Sequence, residues 1–427
     1  MPDLKDHPLR YKLANELHAR PFPAMACPAS LVFVALKRSA ESVQDDRTDE
    51  LQHLIALLDR HGAPHPQPGA THYSARIGRH MLKWEQHTEF TTYTVYDEAL
   101  PERAFDPAEF DILPAEWLAQ APGQCMTAII ARIMPRPENE VIHQYLNDWF
   151  VPESLAVSEV LDRAAVVASD FRIDPAGHMR FAMFVNEGTG HRRIGRIVQR
   201  LCEIETYKSM SMLGFARARG MLDRIGVMDS RLTELTVEMT GHTKPADQTL
   251  GPLLETASEL EALSAKAAFR FGATAAYEAI VTQRIEVLRE ERFNGLQTFN
   301  EFMLRRYQPA MRTVKATEAR LERLAYRAMR AGELLRTRVD VERSAQNQEL
   351  LASMDKRADL QLRLQRTVEG LSVVAISYYA VSLVGYLLYP LTEVTGLSEG
   401  ALAALATLPV VALVWLLVRR IRTRLDH

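Results

Sequence analysis

Between Val368 and Leu388 the only side chain charged at neutral pH is Glu369, and Pro390 ends the run. In a helix rising 1.5 Å per residue, about 20 such residues cross a hydrocarbon core roughly 30 Å thick. A second run, Gly400 to Val418, has 19 residues without a charge, and the eleven residues between the runs include Pro390, Glu393, Gly396 and Glu399. The pattern predicts a hairpin of two membrane spans. Lys356, Arg357, Arg363 and Arg366 precede the first run, Arg419, Arg420, Arg422 and Arg424 follow the second, and the connection has no Lys or Arg. The positive-inside rule then puts both outer ends in the cytoplasm, with Arg363, Arg366, Arg419, Arg420, Arg422 and Arg424 at the lipid headgroups. A buried hairpin in a soluble core is the competing reading, and basic flanks around an acidic connection fit it poorly.

The other 360 or so of the 427 residues must be soluble, since 25% of the chain is charged and the mean hydropathy is slightly negative. The N-terminus, MPDLKDHPLR, lacks the apolar core of a signal peptide, so the soluble part is expected to stay cytosolic, anchored to the inner membrane. Cys27, Cys125 and Cys202 are far apart and outside any CxxC spacing, which fits a reducing compartment. The net charge of −3 is uninformative, but residues 312–366 hold thirteen Lys/Arg against eight Asp/Glu. Membrane lipid and further copies of the chain are the expected partners, and nucleic acid is not.

Leu9, Leu13 and Leu17 predict a short helix to about His18, stopped by Pro21 and Pro23; its polar face carries Arg10, Glu16, His18 and Arg20, read as a solvated face rather than an anion or metal site. Strands are predicted over 30–36, 83–96, 126–133, 164–173 and 178–186, and helices over 45–59 and 141–150, giving residues 1–187 a mixed sheet. If 83–96 is one strand, Glu85, His87 and Glu89 project from one face. Two carboxylates and an imidazole suit a divalent cation, the one cofactor the sequence suggests; the plainer reading is an open face of cross-strand charge pairs.

Gly190 and Gly195 have the spacing of a phosphate loop, but Arg and Ile stand where Lys and Ser/Thr belong, so a nucleotide site is rejected. Helices are predicted from about 190 to 240 and from 253 to 307, as long antiparallel elements. Pro309 suits a first helical turn, and no proline follows until Pro390. About eighty helical residues would extend roughly 120 Å. Val314, Leu321, Ala328 and Leu335 are seven apart, with Leu324 and Ala331 in the alternate register, which predicts a stalk seam buried between copies. The fold class is thus an α+β membrane protein: a cytosolic α/β domain with a mixed sheet (1–187), long antiparallel helices (188–308), a helical stalk (309–366), a first span (367–390), an extracytoplasmic loop (391–399), a second span (400–418) and a basic cytosolic tail (419–427).

This order of parts resembles the CorA-like divalent-cation transporter superfamily. HPLRYKLANELHARPFP, WEQHTEF, GRIVQRLCEIETY and QRTVEGLSVVAISYY also resemble a family of uncharacterised bacterial membrane-anchored proteins, over nearly the whole chain. The CorA resemblance implies a pentamer with a pore along the first span. It also implies a Gly-Met-Asn signature, and here Gly385 is followed by Tyr386 and Leu387, so magnesium selectivity does not carry over. At 100° per residue, Ser372, Tyr379, Ser382, Tyr386 and Tyr389 share one arc of the first span, with Glu369 near its cytosolic end: these are the pore-lining candidates. Hydroxyls pairing across a helix bundle are the alternative. No nucleophile, catalytic dyad or phosphate loop has the expected spacing, so no enzyme is expected. The expectation is an oligomeric ion channel or transporter, the alternative a non-conducting anchored scaffold or sensor with a cytosolic binding domain.

Overall fold

The computed structural model describes residues 5–16, 22–38, 47–241, 244–390 and 398–425. Nine strands form one sheet in the order β2-β3-β4-β1-β5-β8-β7-β6-β9. They are β1 (Ala29–Lys37), β2 (His72–Ile77), β3 (His80–Gln86), β4 (Phe90–Asp97), β5 (Gln124–Pro135), β6 (Ala156–Val160), β7 (Ala165–Ser169), β8 (Met179–Val185) and β9 (Glu291–Arg292). Only β5 and β8 pair in parallel, so the sheet is mixed. Strand β1 lies between β4 and β5 and is covered on both faces, which is why its sequence, ASLVFVALK, is apolar almost throughout rather than alternating.

Before the sheet lies α1 (Arg10–Glu16), where Arg10 pairs with Asp6; His18 and Arg20 fall outside the described residues. Helices α2 (Thr48–Arg60), α3 (Ala115–Ala119) and α4 (Asn139–Trp149) supply Leu54, Leu57, Trp117, Ile142 and Leu146 to one core with Val32, Val34, Trp84, Tyr93 and Phe184 of the sheet. The alternate residues Leu31, Phe33, Lys83, Glu85, Thr92 and Thr94 point the other way, toward α5 (His191–Gly241).

Helix α5 is followed by α6 (Ala246–Glu286), then α7 (Phe299–Phe302), a π turn (Met303–Tyr307) and α8 (Gln308–Leu388). A Cβ on Gly214 of α5 would stand 2.1 Å from the Thr274 hydroxyl of α6, so this crossing requires glycine. A Cβ on Gly195 would meet the Pro23 carbonyl at 1.8 Å: the glycine serves packing, in keeping with the rejected phosphate loop. The last helix is α9 (Glu399–Leu425).

Three expectations are corrected. The run 83–96 is two strands joined at His87-Thr88-Glu89, with Trp84 opposite Tyr93. The helix predicted over 253–307 breaks after Glu286; Asn294 and Gly295 have φ of 43° and 80°, and β9 pairs with β6. The sheet therefore draws on residues far beyond 187, and strands β2 and β6, not expected from the sequence, complete it. Finally, the helical run toward the apolar segment starts at Phe299, where Thr298 and Glu301 form a capping box. Pro309 sits just past the π turn, whose wider ring relieves the clash a proline makes with the carbonyl four residues earlier.

The chain divides into two units, 1–243 with 251–331 and 244–250 with 332–427. Within the first, Val314, Leu321, Leu324 and Ala328 of α8 are at most 2% exposed. Arg320 and Arg327 of α8 pair with Asp229 of α5, and Lys315 pairs with Glu278 of α6. This part of the seam is thus covered by the chain's own helices, and it gives no reason to invoke other copies. Within the second unit the apolar stretches of α8 and α9 have mean hydropathies of 1.9 and 2.5 and are only 6% buried.

Candidate functional site

Four places carry the groups from which a function could be built. The first is the apolar part of α8. Tyr379, Tyr386 and Tyr389 are 71%, 83% and 61% exposed, and Ser372 and Ser382 are exposed on the same helix. The Ser382 hydroxyl donates to the Tyr378 carbonyl at 2.9 Å, so its proton is used within its own helix and only its lone pairs face outward. Glu369 accepts from Gln365 at 3.3 Å one turn before the row begins. Arg363 pairs with Asp359 at 3.2 Å, and Arg419 lies over the Trp415 ring at 5.1 Å. The side chains of Arg422 and Arg424, and residues 391–397 of the expected loop, lie outside the described residues.

The second place is the β3–β4 turn, where the structure separates the three residues proposed for a cation. Glu85 turns toward α5 and pairs with Lys83 at 3.0 Å; Lys83 in turn donates to Gln199 at 2.9 Å. His87 sits in the turn, stacked on Phe90 at 4.4 Å. Glu89 accepts from Arg270 at 2.6 Å and from the Tyr277 hydroxyl at 2.9 Å, both on α6. Burial, with the Glu89 charge adding to it, pushes the Tyr277 phenol far up, so it remains a donor. The two carboxylates are therefore neutralised by different cations. Glu85 and His87 line a cavity of only about 30 Å³, room for a water rather than a hydrated ion. Among the described residues no three His, Cys, Asp or Glu are grouped to hold a metal ion.

The third place has no single motif in the sequence. A groove of about 770 Å³ opens where the ends of β1 and β5 meet α5 and α6, and Lys37, Arg38, Arg217, Arg224, Lys266 and Arg270 line it. No Asp or Glu is among its described lining residues. On α5, Arg217, Gly220, Met221 and Arg224 recur at helical spacing; on α6, Leu263, Lys266 and Arg270 do the same. The groove is thus built by two facing helix stripes closed by a sheet edge.

A smaller cleft beside β4 holds Glu109, Asp97 and His80. Burial is the main cause that raises the Glu109 carboxyl to about 7, against the opposing influences of Ser30 and Arg132. Burial likewise lowers His80, with Asp97 acting against it.

No curated protein and no solved structure matches the chain. One family model does, over residues 5–425, and its description is "Protein of unknown function (DUF3422)". That match takes in the sheet, the long helices and both apolar runs together. The chain belongs to the DUF3422 family.

Proposed function

We propose that this is a self-assembling, two-span protein of the inner membrane, with its soluble unit and both ends in the cytoplasm, in which first spans from several copies surround a path for cations. The observation that carries the reading is the row Ser372, Tyr379, Ser382, Tyr386 and Tyr389, largely exposed on an otherwise apolar helix, where Ser382, Tyr386 and Tyr389 also line a cleft of about 520 Å³ with Leu402 and Ala403 of α9. The Tyr379 and Tyr386 phenols would be poorly satisfied facing lipid; turned toward an axis, the row would line a narrow polar path with Glu369 at its inner mouth. The order of parts, similar to the CorA-like superfamily, supports the same reading. Since the seam of 314–331 is already covered within the chain, contacts between copies fall to the spans and to the exposed stretch with Leu351, Met354 and Leu362.

Selectivity for magnesium should be poor, because a small, strongly hydrated ion needs several well-placed oxygens to compensate for ordered or shed water. Flux of magnesium, cobalt, zinc, potassium and chloride into proteoliposomes tests conduction directly. Tyr386→Ala should change the flux, and Glu369→Gln should weaken the preference for cations. Flux no greater than in empty liposomes for every ion would end the channel reading. The second reading, a non-conducting anchored scaffold or sensor, is favoured by one observation, the basic groove in the soluble unit.

A further inference from the structure

We propose that the groove between the β1/β5 edge and helices α5 and α6 binds a multiply charged phosphate, free or carried on a lipid headgroup. Six cationic side chains from three separate elements converge on one opening of about 770 Å³, and no carboxylate is among its described lining residues. That volume lies within the range of about 300 to 1,000 Å³ usual for small-molecule sites. Three of the six, Arg38, Arg224 and Arg270, are paired with carboxylates outside the lining, and the positive charge that remains in the concave opening attracts a ligand of the other sign.

Arg270 separates this groove from a merely basic surface. The residue is 3% exposed, and its Nη2 is committed to Glu89 at 2.6 Å. Its Nη1 is buried and has no hydrogen-bond partner. A buried guanidinium donor without an acceptor is costly, and the side chain lines the groove, where an oxyanion would supply the missing acceptor. Around it, the arginines are held in position. Arg217 donates to the Lys266 carbonyl at 3.1 Å, Arg224 to Glu259 at 2.9 Å through Nε, and Arg38 to Asp49 at 3.3 Å. Arg217 and Arg224 keep further N–H groups in the planar fork that suits phosphate oxygens. Lys266 is exposed, and no carboxylate among the described residues pairs with it.

The groove also indicates which part of a ligand it reads. Its described lining contains Met126, Leu213, Met221 and Leu263 but no aromatic ring, so there is no platform on which a base would stack. Gly220 has open space where a side chain would project, which leaves room at the centre of the α5 stripe. Charge spread along two helices, rather than gathered at one point, fits two linked phosphates better than one. This inference concerns the soluble unit and does not depend on whether the spans conduct.

The test uses the full chain in zwitterionic detergent at low salt, titrated calorimetrically with inorganic pyrophosphate. Mixed micelles with and without a phosphatidylinositol phosphate form a second arm. Saturable binding is expected, and Lys266→Glu at an exposed position and Arg217→Ala at a half-buried one should each weaken it at least tenfold while the thermal midpoint moves little. Cys125 is exposed in the groove. Its alkylation should slow several-fold at saturating pyrophosphate while that of Cys27 does not. Tight binding to pyrophosphate with no added affinity for the lipid micelles assigns a soluble phosphate; preference for the lipid assigns a headgroup. Absence of binding to either, or binding that both variants leave unchanged, would overturn the proposal.

Discussion

The sheet unit and the apolar helices solve opposite problems with similar residues. In the first, Trp84, Ile130, Phe184 and Leu54 are fully buried by their own chain, and charges that enter it are paired. In the second, Leu371, Val374, Leu383 and Leu405 are 65–79% exposed, and among the described residues of the two apolar runs only Ser377 and Val414 are buried. Apolar area removed from water stabilises by about 25 cal/mol per Å², so the sheet unit draws its stability from within, whereas the helices leave theirs to whatever surrounds them. A chain of one composition thus contains a part that is complete and a part that is not. Lipid and other copies, the partners proposed above, are what that difference would require.

The contrast breaks most visibly if the incomplete part is removed. A chain truncated after Arg366 should move from the membrane pellet to the supernatant, whereas wild-type protein found in the supernatant without detergent would refute the proposed anchor. Next in size, Trp84→Ala should cost the sheet unit about 3–5 kcal/mol through the cavity it leaves. Tyr379→Ala on the exposed face should shift its thermal unfolding by less than about 0.5 kcal/mol; equal effects would erase the distinction. Glu89→Gln strands a buried guanidinium and should cost roughly 3 kcal/mol by denaturant titration, where an exposed pair such as Arg363–Asp359 should yield about 0.5 kcal/mol or less.

The smallest effect is in pH. Because the Glu109 carboxyl is raised to about 7, the fold favours its protonated form. The stability it contributes is fully present below the unfolded value near 4.5 and is lost as pH rises through 7. Between pH 5 and 8 wild type should lose on the order of 1 kcal/mol that Glu109→Gln does not lose, the solvent that reaches this partly exposed group screening the rest. Parallel stability curves for the two proteins would remove Glu109 from consideration as a perturbed group.

Runs that are apolar throughout were legible in advance: β1, β5, β8 and both C-terminal helices need only local pattern to be found. The β3–β4 turn was not, because His87-Thr88-Glu89 contains none of the glycine, proline or asparagine that usually marks one. Asn294-Gly295 did carry a turn signal, and helical periodicity on either side obscured it. The stalk seam was read correctly as a buried stripe and assigned to the wrong partner, since periodicity says that a face is covered but not by what. The basic groove could not be read at all. Its cations lie at 37–38, 217–224 and 266–270, and only the closing of a sheet edge against two helices brings them together.

Strand β9 has a consequence in time. The Ser158 hydroxyl on β6 donates to Glu290 across a separation of 132 residues, and the two-residue β9 that follows closes that edge of the sheet. A chain made from its N-terminus at about 5–20 residues per second leaves β6 open for on the order of ten seconds before β9 exists. An open edge is a template for pairing with another chain. The lengths of α5 and α6 therefore set how long each nascent copy is exposed to its neighbours on a polysome. The exposure ends before the apolar run at Val368 has been synthesised.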